Sequence, residues 1–141
     1  MSKKVERTFV MIKPGNLDRE IIDDILMRFV KKGLRIVKSE LTEPNKDKEL
    51  MEKHYAEHRE KDFFEALISY ATSGPVISMI LEGEDAIAVA REIAGATDPK
   101  EAEPGTIRGD YGIDIQRNVV HTSDSEAAAR REIALHFKLN H

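Results

Sequence analysis

"NLDREIIDDILMRFVKKG", residues 16–33, is the stretch from which the rest of the chain can be read. Leu17, Ile21, Ile22, Ile25, Leu26, Phe29 and Val30 return every three or four positions, which places them on one face of a helix. Lys31 and Lys32 stand where the helix dipole favours cations, and Gly33 stands where a C-terminal cap belongs. Such a helix needs an apolar surface to cover, and its flanks supply one. Upstream, "RTFVMIKP" (Arg7 to Pro14) is short, β-branched and aromatic and is closed by Pro14 and Gly15, so it reads as a buried strand. Downstream, "LRIVKSELTEP" (34–44) reads as a second strand.

Further along, 45–60 and 61–74 read as two helices opened by the capping residues Asn45 and Asp62. "GPVISMILEG" (74–83) gives a third strand, and "EDAIAVAREIAG" (84–95) an Ala-rich helix stopped at Gly95. Ala96 to Arg117 has prolines and glycines and no period, so it reads as a long ordered loop, and loops of that length are usually functional or disordered. "VVH" (119–121) is short enough for a fourth strand, and "SDSEAAARREIALHF" (123–137) is the closing helix, with Ser123 and Glu126 spaced as a capping box. The order β-α-β-(αα)-β-α-β-α predicts an α+β, ferredoxin-like split βαβ fold: a four-stranded antiparallel sheet with helices packed on one face.

The chain has 141 residues, which predicts one domain over 1–141. A net charge of −4 and a pI near 5.8 give no general attraction to nucleic acid or anionic membrane, so an anionic ligand must be held by local charge. No window approaches the length of a membrane span and the N-terminus lacks a secretory pattern, so a cytoplasmic location is the expectation. Without cysteine, a nucleophile has to be His, Ser, Thr, Lys or a carboxylate.

Few local motifs carry chemistry. "RGD" at Arg108 to Asp110 is too short to argue adhesion, and neither a P-loop nor a dinucleotide-binding glycine pattern occurs. His54 and His58 lie four apart on one helix face and could grip a metal, but no third ligand is evident and the plain reading is a solvated face. "NVVHTSDS" (118–125) puts His121 between a strand and the first turn of a helix, where unpaired backbone N–H groups and the helix dipole favour anions. Taken alone, His121 is either a chemical group beside an anion site or a strand-end residue satisfied by its neighbours.

The blocks "RTFVMIKP", "HYAEH", "FFEAL", "SGPVISMILEG", "PGTIRGDYGIDIQRNVVHTSDS" and "EIALHF" come in an order and spacing that resemble the nucleoside diphosphate kinase family, over about Arg7 to Phe137. The resemblance implies transfer of a terminal phosphoryl group from a nucleoside triphosphate, typically ATP, to a nucleoside diphosphate through a phosphohistidine, with broad base specificity. It implies that His121 is the nucleophile, oriented by Glu132, with Ser123 and Tyr55 near the transferring phosphate. It further implies that Lys13, Arg91 and Arg108 bring charge to the phosphates, that Thr97 adds a hydroxyl, that Lys13 and Asn118 bond the sugar, and that Phe63 stacks on the base while Phe64 belongs to the core. Magnesium is implied as a companion of the nucleotide phosphates, with no dedicated protein cage. A homo-oligomer, hexamer or tetramer built from dimers, is implied, with the loop carrying Pro99 and Pro104 between dimers.

Three features depart from the family pattern. Gly15-Asn16 replaces Asp-Gly, Thr122 replaces Gly or Ala directly after the nucleophile, and the chain ends at His141 without the longer tail of many relatives, which implies an altered assembly. Thr122 motivates an alternative, a catalytically weakened nucleotide-binding or regulatory protein on the same fold. An RNA-binding module on a similar sheet is a third class, disfavoured by the negative charge and by Phe9 as the lone aromatic of the first strand.

Overall fold

A computed structural model describes residues 4–15, 18–43 and 48–137 of the chain. The first strand, β1 (Val5–Ile12), is bonded along both edges. On one side it meets β3 (Val76–Glu84), from Val5 opposite Glu84 to Ile12 opposite Ile77. On the other it meets the short β4 (Val120–Thr122), with Met11 opposite His121. β2 (Arg35–Thr42) adds to the outer edge of β3, so the antiparallel sheet runs β2-β3-β1-β4. The chain leaves β1 through a helix and returns two places away, then repeats the move from β3 to β4, which interleaves two βαβ units as the sequence predicts.

Side chains alternate across a strand, and in β1 both sets are buried. Val10 and Ile12 join Met79 and Leu81 of β3 under α1 (Arg19–Lys31) and α4 (Ala86–Ala94). Phe9 and Met11 join Val76 and Ile80 under α2 (Lys48–His54), α3 (Phe64–Ala71) and α6 (Glu126–Phe137). Helices therefore cover both faces, not one as expected from the sequence. A strand buried on both faces reads as a continuous apolar run, which is what "FVMI" is.

Local chemistry explains most element ends, with several corrections. The Asp18 side chain accepts from the Glu20 N–H at 2.9 Å and opens α1, whose Ile25 and Phe29 are buried while Val30 is exposed. Asn16, Leu17 and Asn45 lie outside the described residues. The helix expected over 45–60 is divided: α2 ends at His54 and a 3₁₀ turn follows at Ala56–His58. α3 begins at Phe64 with no side-chain cap, so Asp62 does not serve as one. The expected loop from Ala96 to Arg117 contains α5 (Ile107–Tyr111), capped by Thr106, whose hydroxyl accepts from the Gly109 N–H. The last helix is capped by Ser125, accepting from the Ala128 N–H at 3.0 Å, and Glu126 pairs with Lys4, so the capping box of Ser123 and Glu126 is not formed. Among the described residues no helix is long and apolar enough to cross a membrane.

α4 stops at Gly95, whose φ of +89° is costly for any residue with a Cβ. A Cβ there would also lie 2.5 Å from the Thr106 hydroxyl, so the loop bearing α5 seats directly on this glycine. Gly105, at φ +94°, has open space around the same position. Gly105→Ala should therefore lose only the strain of a left-handed residue, about 1 kcal/mol, and Gly95→Ala about 2–4 kcal/mol because overpacking adds to it. Urea denaturation of both variants checks the order; equal losses would show that the Gly95–Thr106 contact carries no weight.

Candidate active site

β4 reaches its place through a strained turn. Val119 has φ +78°, rare for a β-branched residue, and the Val120 N–H donates to the Asn118 carbonyl two residues back at 2.9 Å, closing a γ-turn. Backbone bonds hold the turn on both sides: the Lys13 N–H donates to the Val119 carbonyl at 2.8 Å and the Ser123 N–H to the Phe9 carbonyl at 3.1 Å. Strain of this kind persists where the surroundings over-determine it, and it clusters at functional sites. Here it swings the chain so that His121 emerges at the sheet edge facing a cleft of about 1680 Å³.

His121 Nε2 lies 2.8 Å from Glu132 Oε1, and the Ser123 hydroxyl donates to the same oxygen at 2.6 Å. Glu132 projects from α6 and is only 4% exposed. Burial pushes its carboxyl up, but the hydrogen bond and charge of His121, the Ser123 hydroxyl and Arg131 outweigh burial and hold it below the usual range. An ionised carboxylate only accepts, so Nε2 carries the proton and Nδ1 carries the lone pair. The pair fixes both tautomer and ring orientation. Ser123 and Glu132 stand behind the ring and do not line the cleft.

The cleft wall brings together Lys13, Tyr55, Phe63, Arg91, Thr97, Arg108 and Asn118 with His121, which are the remaining residues expected from the sequence. Arg108, from α5, donates to the Gly95 carbonyl at 2.7 Å and to the Val120 carbonyl at 2.8 Å, tying the end of α4 to β4. Its Nε is buried with no hydrogen-bond partner. Lys13 follows β1 directly and donates to Asn118 Oδ1 at 2.7 Å, while the Asn118 amide donates to the carbonyls of Thr97 and Ile115. Burial and then the charge of Arg108 bring Lys13 down to about 7; burial and then Arg91 bring Arg108 down to about 10. Two buried cations that repel each other make a site prepared for an anion.

Phe63 is 49% exposed at the rim, with the His58 ring 5.5 Å away and Lys61 Nζ over its face. Phe64 is partly buried against the core, as expected. Tyr55 is buried, and burial keeps its phenol protonated far above neutral pH. Thr122 lies in β4 opposite Val10, an extended conformation that β-branched residues favour, so its bulk requires no unusual backbone.

Sequence reasoning misplaced one histidine and missed another. His54 is not on a solvated face: it is 2% exposed, its ring edges onto that of His121 at 4.5 Å, and its Nδ1 lies 2.9 Å from His136 Nε2. His136 in turn stacks on Phe9 at 4.5 Å. The signal was present in the spacing, because Met51, His54 and Tyr55 fall on one helical face and all are buried.

Among known proteins, a family model described as nucleoside diphosphate kinase matches residues 6–141. The nucleoside diphosphate kinase of Pelotomaculum thermopropionicum is 54% identical over 133 residues, 94% of this chain and 88% of that protein. That of Pyrococcus furiosus is 56% identical over 138 residues, 96% of this chain and 84% of that protein. Among solved structures, a halophilic nucleoside diphosphate kinase from Halobacterium salinarum in complex with CDP superposes with a TM-score of 0.89 at 50% identity, covering 95% of this chain and 88% of that one. The apo enzyme from Encephalitozoon cuniculi gives a TM-score of 0.89 at 40% identity, over 93% and 88%.

Burial also sets the acid behaviour of the cluster. Burial, then the neighbouring His121, lowers His136 to about 4, and burial followed by the other two rings lowers His54 well below its ordinary value. Both bind protons more readily unfolded than folded, so the stability they contribute is complete above about pH 6.5 and is lost as pH falls toward 4. His136→Phe should flatten the loss between pH 6.5 and 4.5 by up to about 1.4 kcal/mol per pH unit. Urea denaturation across that range checks it, and an unchanged slope would show that His136 does not titrate there.

Proposed function

Because the chain belongs to the nucleoside diphosphate kinase family, we propose that Nδ1 of His121 is the atom that carries phosphate from a nucleoside triphosphate to a nucleoside diphosphate. In the first half-reaction the Nδ1 lone pair attacks the terminal phosphorus, the bond to the bridging oxygen breaks, and the nucleoside diphosphate leaves. In the second, the terminal oxygen of another nucleoside diphosphate takes the phosphoryl group and the lone pair returns to Nδ1. The observation that carries this reading is the hydrogen bond of Nε2 to an ionised Glu132, which leaves the other nitrogen unprotonated beside the cleft and offsets the positive charge the ring gains on phosphorylation. Ser123 supports the reaction through Glu132.

Phosphoryl transfer depends on positioning and on neutralising charge over the transferred oxygens. Lys13, Arg91 and Arg108 do this, with Thr97 adding a hydroxyl at the cleft. Bound phosphate would favour the charged forms of Lys13 and Arg108 that burial disfavours, so binding and protonation reinforce each other. Asn118 aims Lys13 through its side-chain oxygen, and the two meet the sugar hydroxyls. Tyr55 closes the floor of the cleft near the phosphate. Phe63 offers its exposed face to any base, which gives broad specificity.

Magnesium suits this site as a passenger on the phosphates. It prefers oxygen ligands, and among the described residues no cluster of three carboxylates exists to hold it, while the groups around the phosphate position are cationic. Carried in with the nucleotide, it would offset negative charge on the phosphates. A homo-oligomer of dimers, hexamer or tetramer, fits the exposed Ile113 and Ile115 that follow α5, close to Pro99 and Pro104 in sequence. A cytoplasmic site of action, expected from the sequence, is part of this proposal.

Incubation with γ-labelled ATP should leave an acid-labile, base-stable label that is absent in His121→Ala. Glu132→Gln should label but turn over about 10²-fold more slowly, because a neutral amide neither fixes the tautomer nor balances the charge. Label retained in His121→Ala would remove His121 as the carrier.

A further inference from the structure

We propose that His54, His121 and Glu132 form a binding site for a divalent transition-metal ion, with zinc as the fitting example, and that occupancy of this site and phosphorylation of His121 exclude each other. One ring nitrogen from each histidine and one carboxylate oxygen all lie within 4.8 Å of one another. Two imidazoles and a carboxylate with an open fourth position is a recurrent zinc ligand set, with metal–donor bonds of about 2.0–2.2 Å. Such bonds require donors about 3.4 Å apart, so the set must close by somewhat over an ångström. His121, whose side chain is 21% exposed at the cleft, is the ligand free to move.

An independent observation points the same way. His54 Nε2 is buried with no hydrogen-bond partner, and so is His136 Nδ1, while His54 Nδ1 and His136 Nε2 face each other at 2.9 Å. With both rings neutral, one proton must lie between the facing nitrogens. When it sits on His54 Nδ1 and is donated to His136, His54 Nε2 presents a bare lone pair. That is the arrangement of a metal-ligating histidine whose second nitrogen is held by an outer partner. Burial keeps both the ligating His54 ring and the His136 ring that holds it uncharged at neutral pH. The charges acting on the cluster are Arg131, 3.6 Å from Glu132 Oε2 and half-exposed, and Lys13 of the cleft wall, so affinity must come from the imidazoles more than from net charge. This favours zinc, nickel or copper and disfavours magnesium.

The exclusion follows from the imidazole itself. A metal on Nδ1 occupies the nucleophilic lone pair. A metal on Nε2 displaces the Glu132 hydrogen bond and leaves the ring's one proton on Nδ1, which again has no lone pair to give. This consequence rests on His121 being the phosphate carrier, whereas the metal site does not.

The test uses the full chain stripped with a chelator and titrated with Zn²⁺ against a chromophoric competitor, in parallel with Co²⁺ followed by visible absorbance. One ion per chain should bind, with Co²⁺ bands of tetrahedral nitrogen–oxygen coordination. His54→Gln should weaken binding at least tenfold and His58→Gln should leave it unchanged. Protein first phosphorylated with ATP and desalted should bind at least tenfold more weakly, and Zn²⁺ should block formation of the acid-labile label, with His54→Gln needing at least tenfold more metal. If His54→Gln does not fold by circular dichroism, Glu132→Gln takes its place with the same expected loss. Binding that is absent, unaffected by these variants, or equal in the phosphorylated protein would overturn the proposal. Label without metal binding would sink the metal site alone, and metal binding without label would sink the phosphate-carrier reading alone.

Discussion

The hydrogen bond between His121 and Glu132 is the constraint around which the rest of the site is arranged. A carboxylate buried in this way is unfavourable unless it is paired and hydrogen-bonded, and Oε1 receives two donors, from His121 and from Ser123. Both donors come from the β4 edge and the acceptor from α6, so the pair exists only if α6 docks against β1. Phe9 secures that docking. It is fully buried, its ring packs against those of His136, Phe137 and His121, and its carbonyl accepts the Ser123 N–H. One residue of the central strand thus supports His121, α6 and the backbone between them.

Costs in backbone conformation and in charge burial meet at the same place. The γ-turn at Val119 holds a β-branched residue at positive φ, and it is kept there by bonds from Lys13 and to Asn118. Lys13 and Arg108 are withdrawn from water near each other, and each is held more weakly protonated than usual. These are unfavourable for the protein alone, and the reading proposed above gives them a use, because donors held in place need no rearrangement to meet an anion. Arg108 also ties Gly95 to Val120, so the loop between α4 and β4 is a structural strap that also brings a guanidinium to the cleft wall.

Much of this was legible in the residues. The period of Ile21, Ile25 and Phe29 gave α1, the continuous "FVMI" gave a buried strand, and the split βαβ fold followed from the alternation of elements. What escaped was information carried by tertiary contact. The same apolar run that announced a strand could not say that both its faces were covered. Ser123 had the spacing of a cap but is drawn to Glu132, and Ser125 takes the capping role. His54 and His136, 82 positions apart, meet only because α2 and α6 cover the same sheet face. Val119 is the hardest case, since a β-branched residue is the last that local propensity would place at positive φ. Of the ten residues chosen by resemblance to a family, eight line one cleft, and Ser123 and Glu132 join it through the hydrogen bonds behind His121.

The central claim is that Glu132 holds Nε2 and leaves Nδ1 to react. Nitrogen-15 NMR of the phosphorylated protein, with histidine labelled at both ring positions, tests it most directly. The account predicts phosphorus coupling and the phosphorylation shift at Nδ1 of His121, with Nε2 still protonated. A phosphoryl group on Nε2, or on Ser123 instead of the ring, would contradict it.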